Sequence, residues 1–259
     1  LFLAAANHIQ NHPLDFYGFI VNWYGREMAM FDVMKNPPLA SYYIAAVSYV
    51  FGWQETTLHL AFVLPAAAVM LGTFYLARQS CSHPLAAALA ALATPVFLIS
   101  ATNVMCDVMM LAFWVWAVYF WIRGLKSDRR MGCLALSAFL IALSGLTKYF
   151  GIALIPLLIV YSLYVKKGNG QWLFIFLIPV SILAVYNSGT QILYGRGLLS
   201  DAGAYATHVK GMNREMLKET IIGLSFMGGC LLPYLFFSPF LLSRIFWVCG
   251  FLLTAVAVF

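Results

Sequence analysis

The chain has 259 residues, 63% of them hydrophobic and only 9% charged, with a net charge of +6 and a mean hydropathy of +0.87. A soluble domain could not cover so much apolar surface, so the composition excludes one. The basic excess falls in short clusters between apolar runs, with no basic face interleaved with exposed aromatics. That argues against a nucleic-acid partner and for Lys and Arg held on the cytoplasmic side of a lipid bilayer.

In chain order, residues 1–56 read as an external first loop with juxtamembrane helices, and residues 57–259 as a transmembrane helical domain. His8 and His12 stand four apart, a spacing that suits a shared helix face or a metal, and equally a surface helix end before Pro13. Asp15-Phe16-Tyr17-Gly18 reads either as a turn or as the source of a further carboxylate for the site. Arg26, Asp32 and Lys35 then bring charge, and Asn36 leads into Pro37-Pro38. The run Pro38–Trp53 is short and carries Ser41, Tyr42, Tyr43, Ser48 and Tyr49. It is predicted to be an amphipathic helix lying at the outer interface, where Tyr and Trp are favoured, started by its prolines.

A bilayer core about 30 Å thick needs roughly 20 helical residues to cross it. The runs that qualify, or nearly so, are Thr57–Ala77, Pro84–Ala101, Val108–Ile122, Met131–Thr147, Phe150–Val165, Trp172–Thr190, Ile221–Leu242 and Ile245–Phe259. The expected class is therefore all-α, a polytopic helical membrane protein with about eight spans. Parity puts Arg78, the Arg123–Arg130 cluster, Lys166-Lys167 and Arg244 on one face, with eight basic residues against the single acid Asp128. The opposite face has seven basic residues and eight acids. By the positive-inside rule the first face is cytoplasmic, and residues 1–56 lie outside. The chain starts without Met and stops at Phe259 inside an apolar run, which reads as a fragment.

Three polar features gather on the outer face: the first segment, Asp107 and Lys148. Asp107 begins a span and is either a site residue or a cap on that helix N-terminus. Lys148 lies between Thr147 and Tyr149, either snorkelling to head groups or holding a phosphate as a point charge. Both are expected to face the cavity of Asp32 and Lys35. The stretch Tyr194–Glu219 reads as an external loop, in which His208, Lys210 and Arg214 are either solvated or in reach of the substrate. The five cysteines show no metal-ligand spacing and read as small hydrophobes.

The most specific string is Met30-Phe31-Asp32-Val33-Met34-Lys35-Asn36-Pro37-Pro38-Leu39-Ala40, followed at a distance by Phe51-Gly52. It resembles the first external loop of protein O-mannosyltransferases and their bacterial relatives, including the lipid A aminoarabinose transferases. Asp107 at the head of a span and Leu146-Thr147-Lys148 match that superfamily too, so the likeness covers roughly the first 160 residues. Here Met34 and Lys35 stand as an insertion before the proline pair, and Asn36 takes a position that is Lys or His in the family.

The resemblance implies a GT-C glycosyltransferase of a bacterial cytoplasmic membrane. Such an enzyme takes a hexose-type sugar from a polyprenyl-phosphate donor and transfers it, with inversion, to a protein, lipid or glycan outside the membrane. A carboxylate is needed for the acceptor hydroxyl, and cations for the leaving lipid phosphate. The candidates are Asp107 and Asp32 as acids, with the family's main catalytic Asp expected ahead of Leu1. Lys148, Lys35 and Arg26 are candidates for the donor phosphate, and Asn36, Tyr149 and His208 for the substrate. The residues define no metal site, and a need for a divalent metal is left open. The alternatives are a flippase for lipid-linked sugars and a catalytically inactive scaffold. Transporters place ionisable residues near the bilayer midplane and often carry repeats, and neither feature is evident in the sequence.

Overall fold

The computed structural model describes residues 1–126, 130–165, 170–208, 218 and 220–225. Its first helix, α1 (Phe2–Asn11), buries the small residues Ala5 and Ala6 together with Ile9. That face packs on α3 (Leu39–Phe51), whose buried Ala40, Ser41, Ile44, Ala45 and Ser48 repeat at helical spacing. Gln10 fastens the pair, donating from Nε2 to the Ala45 carbonyl and to Ser48 Oγ at 3.0 Å each. Gly52, at φ +84°, ends α3 in a conformation that glycine adopts without strain. The expected helix over Pro38–Trp53 thus forms, with one face buried and Tyr49, Val50 and Phe51 exposed.

Between α1 and α3 the chain makes a feature that the sequence did not announce. Strands β1 (Ile20–Asn22) and β2 (Glu27–Ala29) pair antiparallel, Ile20 opposite Ala29, and Gly25 turns between them at φ +72°. A single turn, α2 (Met30–Val33), follows. Burial of Ala5, Tyr17, Met30, Ile44, Phe62 and Leu198 in one cluster ties this loop to the helices beneath it.

Three stretches are long and apolar enough to cross a membrane: α4 (Glu55–Ala77), α7 (Cys106–Lys126) and Trp172–Tyr194. The third runs from a 3-10 segment, Gly170–Phe176, into α10 (Leu177–Tyr194). The expected span Pro84–Ala101 is instead two helices, α5 (Pro84–Leu92) and α6 (Pro95–Ala101), bent by 70°. The cause is local: Thr94 precedes Pro95 and is extended at φ −68°, ψ 136°, because the proline ring excludes the helical region for the residue before it. Counting that pair as one span gives up to four among the described residues. The shorter apolar runs Met131–Thr147, within α8 (Arg130–Thr147), and Tyr149–Val165 are also helical, the latter as a 3-10 turn leading into α9 (Leu154–Val165). Of the two C-terminal runs, residues 221–225 are helical and Ile245–Phe259 lies outside the described residues.

Helices in lipid gain little from burying apolar surface, so close packing and interhelical hydrogen bonds matter more. The α7–α8 pair uses both. An added Cβ at Gly124 would lie 2.9 Å from the Leu134 side chain, so any larger residue forces that side chain to shift. Ser137 donates to the Ala117 carbonyl at 2.7 Å and Ser144 to that of Met110 at 3.2 Å. Trp121 donates to Ser162 of α9 at 2.8 Å and packs on Trp172 and Phe176. The chain is an all-α polytopic membrane protein with one small hairpin in its first loop.

Candidate functional site

The packing of α7 against α8 brings the start of one to the end of the other. Asp107, in the first turn of α7, and Lys148, just past α8, therefore meet: Nζ lies 2.5 Å from Oδ1. Both side chains keep about a third of their surface exposed. Such accessible pairs are worth only about 0–1 kcal/mol, so the contact sets the place of two charges more than it holds the fold. Asp107 does sit where a carboxylate complements the helix dipole, but its partner is Lys148.

A second group of charges forms where α10 ends. Gly195, left-handed at φ 72°, turns the chain into α11 (Leu198–His208). Side chains build this corner: Thr190 Oγ1 accepts from the Leu198 N–H at 3.0 Å, and Asn187 Oδ1 from that of Ser200 at 3.1 Å. Arg196 is thereby aimed at the first loop. It bonds Asp32 of α2, lies 3.1 Å from Asp201 through Nε, and covers the Phe31 ring at 5.2 Å. A second link runs beside it, from the Tyr17 N–H to the Tyr194 hydroxyl (2.9 Å) and from that hydroxyl to Asp15 (3.0 Å). The expected turn at Asp15–Gly18 is therefore also a docking point for α10.

Between these groups lies a cavity of about 200 Å³, lined among others by Phe31, Lys35, Tyr149, Asp201 and Tyr205. Lys35 has no ion-pair partner among the described residues, whereas Lys148 and Arg196 are both compensated by carboxylates. Tyr149, next to Lys148, shares a hydrogen bond of 3.1 Å with Tyr186. Burial pushes the Tyr17 hydroxyl well above its ordinary pKa, so it stays a neutral donor, and it donates a hydrogen bond to the Asn36 carbonyl at 2.9 Å.

The candidates from the sequence are only partly gathered. Lys35 and Tyr149 share the cavity, and Asp32 adjoins it through Arg196. Asp107 lines a different space, an apolar cavity of about 360 Å³ between α4, the α5–α6 bend and α7. The expectation that all four charges face one cavity is corrected: Lys35 lines the first space and Asp107 the second, because α7 presents Asp107 toward the bend, and Asp32 and Lys148 line neither. Arg26 is exposed at the hairpin turn and lines neither space. Asn36 contributes its carbonyl to Tyr17. His208 ends α11, and its side chain lies outside the described residues, as do Lys210 and Arg214. Among the described residues no three His, Cys, Asp or Glu side chains converge on a metal position.

Sequence reasoning missed Arg196, Asp201 and Tyr205. The available signal was Gly195-Arg196-Gly197 directly after a span, a helix stop holding one isolated charge.

The family model for dolichyl-phosphate-mannose-protein mannosyltransferases matches residues 35–187, more than half of the chain. The chain belongs to that family. As a mannosyltransferase-family protein it is a membrane glycosyltransferase of mannosyltransferase-like type. The matched region of the mannosyltransferase model begins at Lys35 and includes Asp107, Lys148 and Tyr149. Asp32 lies before it, and Arg196 and Asp201 after it. No curated protein and no solved structure gives a significant match.

Proposed function

We propose that this protein transfers a hexose-type sugar from a polyprenyl-phosphate donor to an acceptor hydroxyl on the outer face of a bacterial cytoplasmic membrane, with inversion. The observation that carries this reading is the shared cavity: Lys35 from the first loop and Tyr149 beside Lys148 line one space. The acceptor oxygen forms its bond to the anomeric carbon as the bond from that carbon to the phosphate breaks. The hydroxyl proton passes to a carboxylate, and the electron pair leaves with the lipid phosphate. Cations at the leaving oxygen stabilise the charge that develops there. Lys35 is the uncompensated cation of the cavity and takes the phosphate; Lys148, paired with Asp107, is the second candidate. Asp107 and Asp32 supply carboxylates, each held by a cation. Asn36, whose carbonyl is anchored by Tyr17, and Tyr149 orient the substrate.

The test is transfer of labelled sugar from a panel of polyprenyl-phosphate sugars, using membranes that carry the full chain or its Asp107→Asn variant. Transfer that collapses in the variant supports the reading, and unchanged transfer reduces Asp107 to a packing residue. The alternative, a flippase for lipid-linked sugars, is favoured by one observation, the 70° bend between α5 and α6, because transporters use broken helices. Movement of a fluorescent lipid-linked sugar across proteoliposomes, without transfer, would select it.

A further inference from the structure

Phe31 also lines a second cavity, of about 230 Å³, together with Asp15, Gly18, Phe19, Ala29 and Tyr194. The hairpin forms one wall, since Ile20 and its partner Ala29 both line it. The carboxylate here is oriented by its surroundings. Asp15 Oδ1 accepts from the Tyr194 hydroxyl, whose own oxygen is occupied by the Tyr17 N–H. Oδ2 lies 2.0 Å from where a Cβ on Gly18 would stand, so the glycine is what leaves room for this carboxylate.

The two cavities differ in charge. The first holds the cation Lys35, and no basic residue lines the second. A phosphate belongs in the first, and a neutral ligand rich in hydroxyls in the second. Phe31 lies between Tyr194 and the Arg196 guanidinium, so its faces are taken; Phe19, stacked on His8 through one face, is the lining ring with π surface for the weakly positive C–H groups on the apolar side of a sugar. A carboxylate accepts two hydroxyls at once, as neighbouring hydroxyls of a pyranose offer them. The volume is below the roughly 300 Å³ at which drug-sized pockets begin, which suits one ring.

We propose that this second cavity is the acceptor subsite and that the acceptor is a saccharide, bound with a ring against Phe19 and its hydroxyls on Asp15. The inference rests on the glycosyltransferase reading for the word acceptor, but the binding is measurable without it.

The experiment is saturation-transfer NMR of the full chain in nanodiscs with methyl α-mannoside and a mannose disaccharide, paired with initial-rate transfer assays. Two variants are compared: Gly18→Ala, which displaces the Asp15 carboxylate without changing charge, and Phe19→Leu, which removes a ring. The expected result is saccharide signal in the parent, lost in both variants, with the acceptor KM raised at least fivefold and the donor KM unchanged. Equal thermal midpoints show that both variants fold. Saccharide signal unaffected by either substitution overturns the proposal, as does transfer to peptide or lipid hydroxyls with no saccharide binding. If no donor supports transfer, signal sensitive to both variants sustains a saccharide site while removing the glycosyltransferase reading.

Discussion

Lys148 and Asp107, 41 residues apart in sequence, form an ion pair 2.5 Å long at the edge of an apolar cavity. Removing the lysine leaves a carboxylate facing apolar walls without its counter-ion. Because both groups are about a third exposed, Lys148→Met is expected to cost only about 1 kcal/mol of stability, yet to lower transfer at least tenfold. The exchange Asp107→Lys with Lys148→Asp should restore the stability and not the activity. Thermal unfolding in detergent and the labelled-sugar assay measure the two separately.

Arg196 grips Asp32 and Asp201 at once. A lysine keeps the charge but lacks the planar fork that reaches both. Arg196→Lys is therefore expected to behave like Arg196→Ala in the transfer assay, with a rise in donor KM of about tenfold for each. A double-mutant cycle with Asp32→Asn should return a coupling of about 0.5–3 kcal/mol. Additive effects would mean that the contact does not position the first loop.

The close approach of α7 and α8 makes an asymmetric prediction about two glycines. Gly124→Ala places a methyl 2.9 Å from Leu134 and should destabilise by about 1–3 kcal/mol through overpacking. Gly132, also helical, has nothing within 4 Å of an added Cβ. Gly132→Ala should be neutral, or stabilising by up to about 1 kcal/mol through helix propensity. Chemical denaturation of the two variants in the same detergent decides the matter.

Tyr17, Tyr42 and Tyr43 all have their hydroxyl pKa raised, chiefly by burial and, for Tyr42, also by the Asp15 charge. In the folded state they keep protons that the unfolded chain gives up near pH 10.0. The native state then binds more protons than the unfolded state, so stability falls as pH rises. The contribution should be fully present below pH 10.0 and lost above it, as pH climbs through the raised folded values. Absorbance titration of phenolate, followed alongside unfolding, should show ionisation and loss of structure together. Early ionisation of all tyrosines without unfolding would contradict it.

Much of the membrane architecture was legible in the residues alone. A helix closes its own backbone hydrogen bonds, so length and apolarity sufficed to mark α4, α7 and α10. Proline at the head of α3 and the isolated charges at Asp107 and Lys148 were equally local signals. The break at Thr94-Pro95 was also written locally, but the apolar run around it masked the proline. The first-loop hairpin could not be read in this way, since its short strands hold only through pairing with each other.

The sequence by itself determined that the chain lives in a bilayer, which long apolar segments are helical, and which isolated charges stand at their ends. Only the tertiary structure decided which of those charges meet. Lys148 reaches Asp107 because small residues let α7 and α8 pack closely. Arg196 reaches Asp32, 164 residues away, because Gly195 turns the chain at a corner fixed by Thr190 and Asn187. Apolar length and helix-stop residues are properties of neighbours in the chain. A cavity is a property of neighbours in space, and here its walls come from the first loop, the residue after α8, and α11.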